Sequence, residues 1–194
     1  MTTRQTSLDL VLASQSPRRR KLLAELGLPF RCATPAVEEL STGLAPRALV
    51  LHNALIKWRW CCTHEPDALI LAADTTVELD GEVLGKPSDR REAEAMLRRQ
   101  SGRVQAVHTG YVLAYAHEGD PPAACGVETS RVLFRELTED AIRAYIDRVQ
   151  PYDRAGAYDI DESGDLLVHS FDGSRTNVMG LPMERIRELL ACRQ

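Results

Sequence analysis

Residues 67–87 read DALILAADTTVELDGEVLGKP. The first half, ALILAA, is the continuous apolar run that a strand buried on both faces requires. The second half alternates and turns at Asp80-Gly81, the dipeptide that type I′ hairpins prefer. A strand that starts in buried, parallel surroundings and ends in an antiparallel hairpin belongs to a mixed sheet. Upstream, the apolar LDLVLA (8–13) runs into SQSPRRRKLLAELG, where Pro17 opens a helix, Leu22, Leu23 and Leu26 share one face, and Gly27 is the stop. A short extended segment FRCAT (30–34), an irregular acidic stretch PAVEELSTGLAP (35–46) and a helix from about Pro46 to Cys62 complete this half.

Downstream, Asp89 with Glu92 as its capping-box partner starts a helix that Gly102 closes. VQAVHTGYVLAYA (104–116) and AACGVETSRVLF (123–134) flank the turn-rich HEGDPP and read as a long antiparallel hairpin. Thr138 starts a further helix that Pro151 ends. A strand LLVHSF (166–171), a turn DGS and a last helix from about Pro182 to Cys192 follow. The sequence shows no internal repeat, low-complexity segment or linker. The expectation is an α/β fold, residues 1–194 forming one domain, with a mixed twisted sheet and flanking helices.

The chain has 194 residues, 44% hydrophobic and 27% charged, with a formal net charge of −4. That length supports a sizeable core, and the acidic balance argues against a nucleic-acid partner, which would require a basic face. The N-terminal MTTRQTSLDL lacks the apolar stretch of a secretory signal. No apolar run approaches the roughly 18 residues that span a bilayer, so no membrane association is expected. Five cysteines without CxxC spacing point to neither a disulfide framework nor a zinc site, and fit a reducing, cytoplasmic location. The five histidines are scattered without HxxxH spacing, and none is assigned to catalysis. Cys61, Cys62, Met179 and Met183 read as core.

Chemistry concentrates elsewhere. SQSPRRR places hydroxyls, free backbone N–H groups and arginines at a helix N-terminus, an anion site that Arg18 and Arg19 would strengthen. Asp74 follows the buried run and is expected at the carboxyl end of a core strand, where α/β sheets open towards ligands. Of 24 cationic residues only three are lysine, Lys21, Lys57 and Lys86. A compact ammonium and a planar guanidinium act differently at a phosphate, so the surviving lysines are marked.

LASQSPRRRKLL, AADTTVELDGEVLGKP, SGRVQAVHTG, DRAGAYDI and GSRTNVMGLP occur in the order and spacing that resemble the Maf family of nucleoside triphosphate pyrophosphatases, over residues 8–190. The resemblance implies an elongated, two-lobed fold similar to the inosine triphosphate pyrophosphatases, with a nucleotide cleft between the lobes. It implies hydrolysis between the α and β phosphates with a divalent metal (Mg2+, Mn2+ or Co2+), and a homodimer. It assigns Asp74, Glu39, Lys57 and Lys86 to catalysis, with Glu39 and Asp74 holding the metal or orienting water. Ser16, Arg18, Arg19, Thr75, Arg154 and Asp161 go to substrate binding. Arg18 and Thr75 resemble members that prefer dTTP and UTP, where Asp161 replaces a glutamine. A carboxylate there accepts hydrogen bonds only, so dTTP and UTP or modified nucleotides with a relaxed base preference are expected, with Asp161 paired to Arg18 or Arg154. Arg154 stands where the family usually has lysine, and Gln105 where it commonly has histidine. The competing reading is a non-catalytic nucleotide sensor linked to septum formation.

Overall fold

The computed structural model describes residues 8–193, so the reading of the N-terminal residues before Leu8 falls outside it. Seven strands form one sheet: β1 (Leu10–Ala13), β2 (Phe30–Ala33), β3 (Leu69–Leu79), β4 (Glu82–Leu84), β5 (Val104–Ala114), β6 (Cys125–Phe134) and β7 (Val168–Asp172). The order is β2-β1-β3-β5-β6-β7, with β4 paired to β3. β1 lies parallel to both β2 and β3, and all other pairs are antiparallel. The sheet is mixed, as the sequence requires.

Helices α1 (Pro17–Ala24) and α2 (Pro46–His64) make the two parallel crossovers, and α3 (Arg90–Gln100), α4 (Glu139–Val149), a short α5 (Arg175–Val178) and α6 (Met183–Ala191) follow. The sequence reading missed α5, whose four residues are too few for apolar periodicity to show. Ser16 caps α1, Asp89 caps α3 and Thr138 caps α4, each side chain accepting a backbone N–H from within the first turn. The expected capping box at α3 is altered. Glu92 accepts from Ser88 N–H at 2.7 Å instead of reaching back to Asp89. The β3–β4 turn holds Asp80 at φ 54° and Gly81 at φ 83°, the left-handed pair that a type I′ turn demands.

Apolar residues gather in three clusters. α1 and α6 bury Leu22, Leu23 and Ile186 against one face of the parallel strands, and α2 buries Ala54, Trp58 and Cys61 against the other. The third cluster joins the far halves of β3, β5 and β6 to α3 and α4. β3 runs through both regions, and its length creates the opening between them. β1 pairs with it only as far as Ala72, and β4 begins to pair at Val77. Between these points one edge of β3 has no strand beside it among the described residues, although β5 continues unbroken on the other edge. Asp74 therefore sits in mid-strand. The expected strand end belongs to β1, the neighbour that stops.

Candidate active site

A cleft of about 440 Å³ opens at the gap in the sheet. Its walls come from the β1–α1 turn, the Thr34–Glu39 loop, α2, β3, Lys86, residues 153–159 and residues 178–180. An exposed strand edge leaves backbone groups without ladder partners, and buried polar groups need partners. Here cationic side chains fill the role. The Ala73 carbonyl accepts from Arg19 Nη1 at 2.9 Å and from Lys57 Nζ at 3.4 Å.

Lys57 is the hub of the acidic end. Its ammonium lies 2.6 Å from Glu39 Oε2 and 3.0 Å from Asp74 Oδ1, and the residue is only 7% exposed. Asn53, one helical turn earlier on α2, donates from Nδ2 to Asp74 Oδ2 and to the Leu40 carbonyl, and its Oδ1 accepts the Leu40 N–H, all at 2.9 Å. One buried amide thus ties the Glu39 loop to Asp74. Burial pushes the Asp74 carboxyl up, but the charges of Lys57 and Arg19 and the hydrogen bonds from Asn53 and Lys57 together hold it below the usual carboxylate range. It is ionised at neutral pH.

Glu39 and Asp74 fit a hard divalent cation by donor type and convergence: both direct a carboxylate oxygen at the point that Lys57 Nζ occupies. Among the described residues, no group of three or more His, Cys, Asp or Glu side chains could hold a metal. Two carboxylates match the way Mg2+ is commonly held, by one or two acids with substrate phosphates and water completing the shell.

The opening motif divides its work. Ser16 lines the cleft and caps α1. Arg18 is partly exposed and reaches Asp159 at 3.5 Å and Asp153 at 3.9 Å. Arg19 also lines the cleft, but most of its hydrogen bonds go to the protein. Its guanidinium is buried, donating to Gly180 O at 2.8 Å, Ala73 O at 2.9 Å, Ser14 Oγ at 3.4 Å and Thr75 Oγ1 at 2.9 Å. Most of its five N–H groups are occupied by protein, so it acts through charge and by pinning α1 to β3. The Thr75 hydroxyl is occupied too, by Arg19, Thr109 Oγ1 at 2.9 Å and Gly180 O at 3.3 Å.

Lys86 lines the cleft and is exposed. Arg154 also lines it, with Nη2 donating to Glu162 at 2.7 Å and Nε 3.3 Å from Asp159. Asp161 does not line it. Its carboxylate accepts from Arg175 at 2.7 and 3.1 Å and faces a separate surface pocket with His169 and Phe171. Arg18 and Arg154, expected to hold Asp161, both meet Asp159. Asp159, two positions earlier, is the carboxylate that lines the cleft. The sequence reading passed over Asp159 and Asn53. A polar residue on the apolar face of α2, four residues before Lys57, was the available signal for Asn53.

Of the two cysteines read as core, Cys61 is buried and Cys62 only partly so. His108 is buried between Glu78 at 2.7 Å and Thr129 at 2.9 Å, away from the cleft lining. Burial pushes the Cys61 thiol up to about 12, which suits a core residue and no nucleophile. Met183 is core, but Met179 also lines the cleft.

The profile of the family described as Maf-like protein matches residues 9–193. A dTTP/UTP pyrophosphatase of Moorella thermoacetica is 46% identical over 94% of this chain and 93% of its own length. One from Salinibacter ruber is 43% identical over 96% and 91%. Among solved structures, a HAM1 protein from Coxiella burnetii superposes with a TM-score of 0.54 at 21% identity, covering 95% of this chain and 98% of its own, which supports the expected α/β architecture.

Proposed function

The chain belongs to the Maf-like protein family, and we propose that it is a nucleoside triphosphate pyrophosphatase acting on dTTP and UTP, the substrates in its relatives' names. The observation that carries this reading is the convergence of Glu39 and Asp74 on Lys57 at the gap in the sheet. Hydrolysis of a phosphoanhydride needs positioning and charge neutralisation more than covalent catalysis. The acidic end of the cleft supplies both.

A divalent cation held there by Glu39 and Asp74 would neutralise phosphate charge. Asp74, ionised and fixed by Asn53 and Lys57, orients a water and accepts its proton. Lys57, held between the two acids, supplies the ammonium that neutralises a phosphate oxygen at this end of the cleft. Lys86, free to reach across the mouth, neutralises the leaving pyrophosphate. Ser16 and Arg18, at the N-terminus of α1, hold the substrate against the other wall. Arg19 stays within the protein and contributes field.

The sensor reading is not favoured, since the matched relatives carry an enzyme's name and both acids stand with Lys57 in one cleft. We read residues 1–194 as one catalytic domain, cytosolic and homodimeric, without a nucleic-acid or membrane partner. No helix among the described residues is long and apolar enough to cross a membrane. The test is a panel of canonical nucleoside triphosphates assayed for pyrophosphate release with Mg2+, Mn2+ or Co2+ and with a chelator. Metal-dependent release from dTTP and UTP is expected; release from no triphosphate with any of the three ions rejects the proposal.

A further inference from the structure

The cleft has two chemically different ends. Glu39, Asp74 and Lys57 occupy one. At the other, Asp153 and Asp159 face Arg18 and Arg154, two acids against two bases, beside an apolar wall of Val107, Tyr158 and Val178. The two ion-paired arginines there have their charge already balanced, so a phosphate chain gains little from this end. An apolar wall with a polar corner suits a flat, uncharged ring with a hydrogen-bonding edge.

Within that corner Asp159 is fixed in direction. Its Oδ1 accepts the backbone N–H of Asp161 at 2.8 Å and of Glu162 at 3.4 Å. Oδ2 is left for the arginines, with Arg154 Nε at 3.3 Å and Arg18 Nη1 at 3.5 Å, the outer limit of a hydrogen bond. Arg18 is about one-third exposed and so free to shift. The pair therefore offers one acceptor and one donor side by side.

Resting on the reading of the cleft as a nucleoside triphosphate site, we infer that Asp159 and Arg18 together read the base. Asp159 Oδ2 accepts the ring N–H of an imide edge and Arg18 Nη1 donates to the adjacent carbonyl. Uracil and thymine present that edge. Cytosine presents the reverse, a bare ring nitrogen facing the carboxylate and an amino group facing the guanidinium, which leaves two like-to-like contacts. The arginine supplies the donor that a carboxylate lacks, so selectivity is kept although Asp161 points elsewhere.

Asp159→Asn inverts the acceptor. The two backbone N–H groups keep the amide oxygen at the Oδ1 position, so the amide nitrogen replaces Oδ2 and presents a donor to the cleft. The measurement is the ratio of dissociation constants for the α,β-imido analogues of UTP and CTP, in wild type and variant, with inorganic pyrophosphate as a competitor that lacks a base. A good bidentate base contact is worth about 1–3 kcal/mol, so the preference for the uracil analogue should fall about 5- to 150-fold while pyrophosphate affinity changes little. Arg18→Met, at a partly exposed position, should lower the same ratio and covers the case in which Asp159→Asn does not fold. An unchanged ratio in both variants overturns the inference. So does a parallel change in both analogues and pyrophosphate, which would make Asp159 a tether for phosphate-binding arginines. Failure of the pyrophosphatase reading is separate: wild type would bind the analogues yet release no pyrophosphate from UTP.

Discussion

Gly110 lies opposite Asp74 in the β3–β5 register, on the face that α2 covers. A Cβ built there would stand 2.3 Å from the Val50 carbonyl oxygen and 2.6 Å from Leu51 N, and contacts under 3.0 Å essentially never occur. Because the obstacle is backbone, no side-chain rotation relieves it. Gly110→Ala must push α2 outward by about 0.7 Å, the difference between 2.3 and 3.0 Å. Overpacking of this kind costs about 1–3 kcal/mol, which for a chain of this size lowers Tm by about 2–4 °C per kcal/mol, or about 2–12 °C in all. The same retreat lengthens the bonds that Lys57 and Asn53 make to Asp74, now 3.0 and 2.9 Å. A misplacement near 1 Å in an active site can cost on the order of 10² in rate, so kcat with UTP should fall about 10- to 100-fold. Thermal unfolding and steady-state kinetics on the same preparation check both numbers. Unchanged Tm and kcat would refute the idea that contact between α2 and the sheet sets the site.

Other outcomes follow from individual side chains. Lys57→Arg should lower kcat by on the order of 10², because a planar fork cannot replace an ammonium enclosed by two carboxylates, whereas Lys86→Arg, at an exposed position, should lose less; equal kinetics for the two variants would contradict this. Arg19→Lys leaves the Gly180 and Thr75 oxygens short of a donor and should destabilise the fold by about 1–3 kcal/mol, seen as a lower denaturant midpoint. Thiol labelling at pH 8 should modify the exposed Cys32 and Cys192 quickly and Cys61 only after unfolding, as read by peptide mass mapping.

Much of the fold was legible because its signals are local. The apolar runs of β1 and β3, the Asp80-Gly81 turn and the caps at Ser16, Asp89 and Thr138 each depend on a few neighbouring residues. Asp74 was assigned to a strand end because composition cannot show where a neighbouring strand stops. Only the register of β1 against β3 reveals the gap. In the site, Asp74 lies in a motif and Glu39 and Lys57 could be named from the family resemblance, and the structure brings both acids within hydrogen-bond reach of Lys57. The distinction between Arg18 and Arg19 was not legible. Adjacent residues on a helix point about 100° apart, and which one turns inward depends on the Gly180 and Ala73 carbonyls, distant in sequence. Asp159 and Asp161 illustrate the same limit. Both are acidic and two residues apart, and only the partners Arg154 and Arg175 tell cleft from surface.

The most direct test of the central claim is the identity of the products formed from UTP. Phosphorus NMR of a complete reaction with Mg2+ should show UMP and pyrophosphate in equal amounts, the result of breaking the bond between the α and β phosphates. UDP with orthophosphate would place the cleavage at the terminal phosphate and contradict the account.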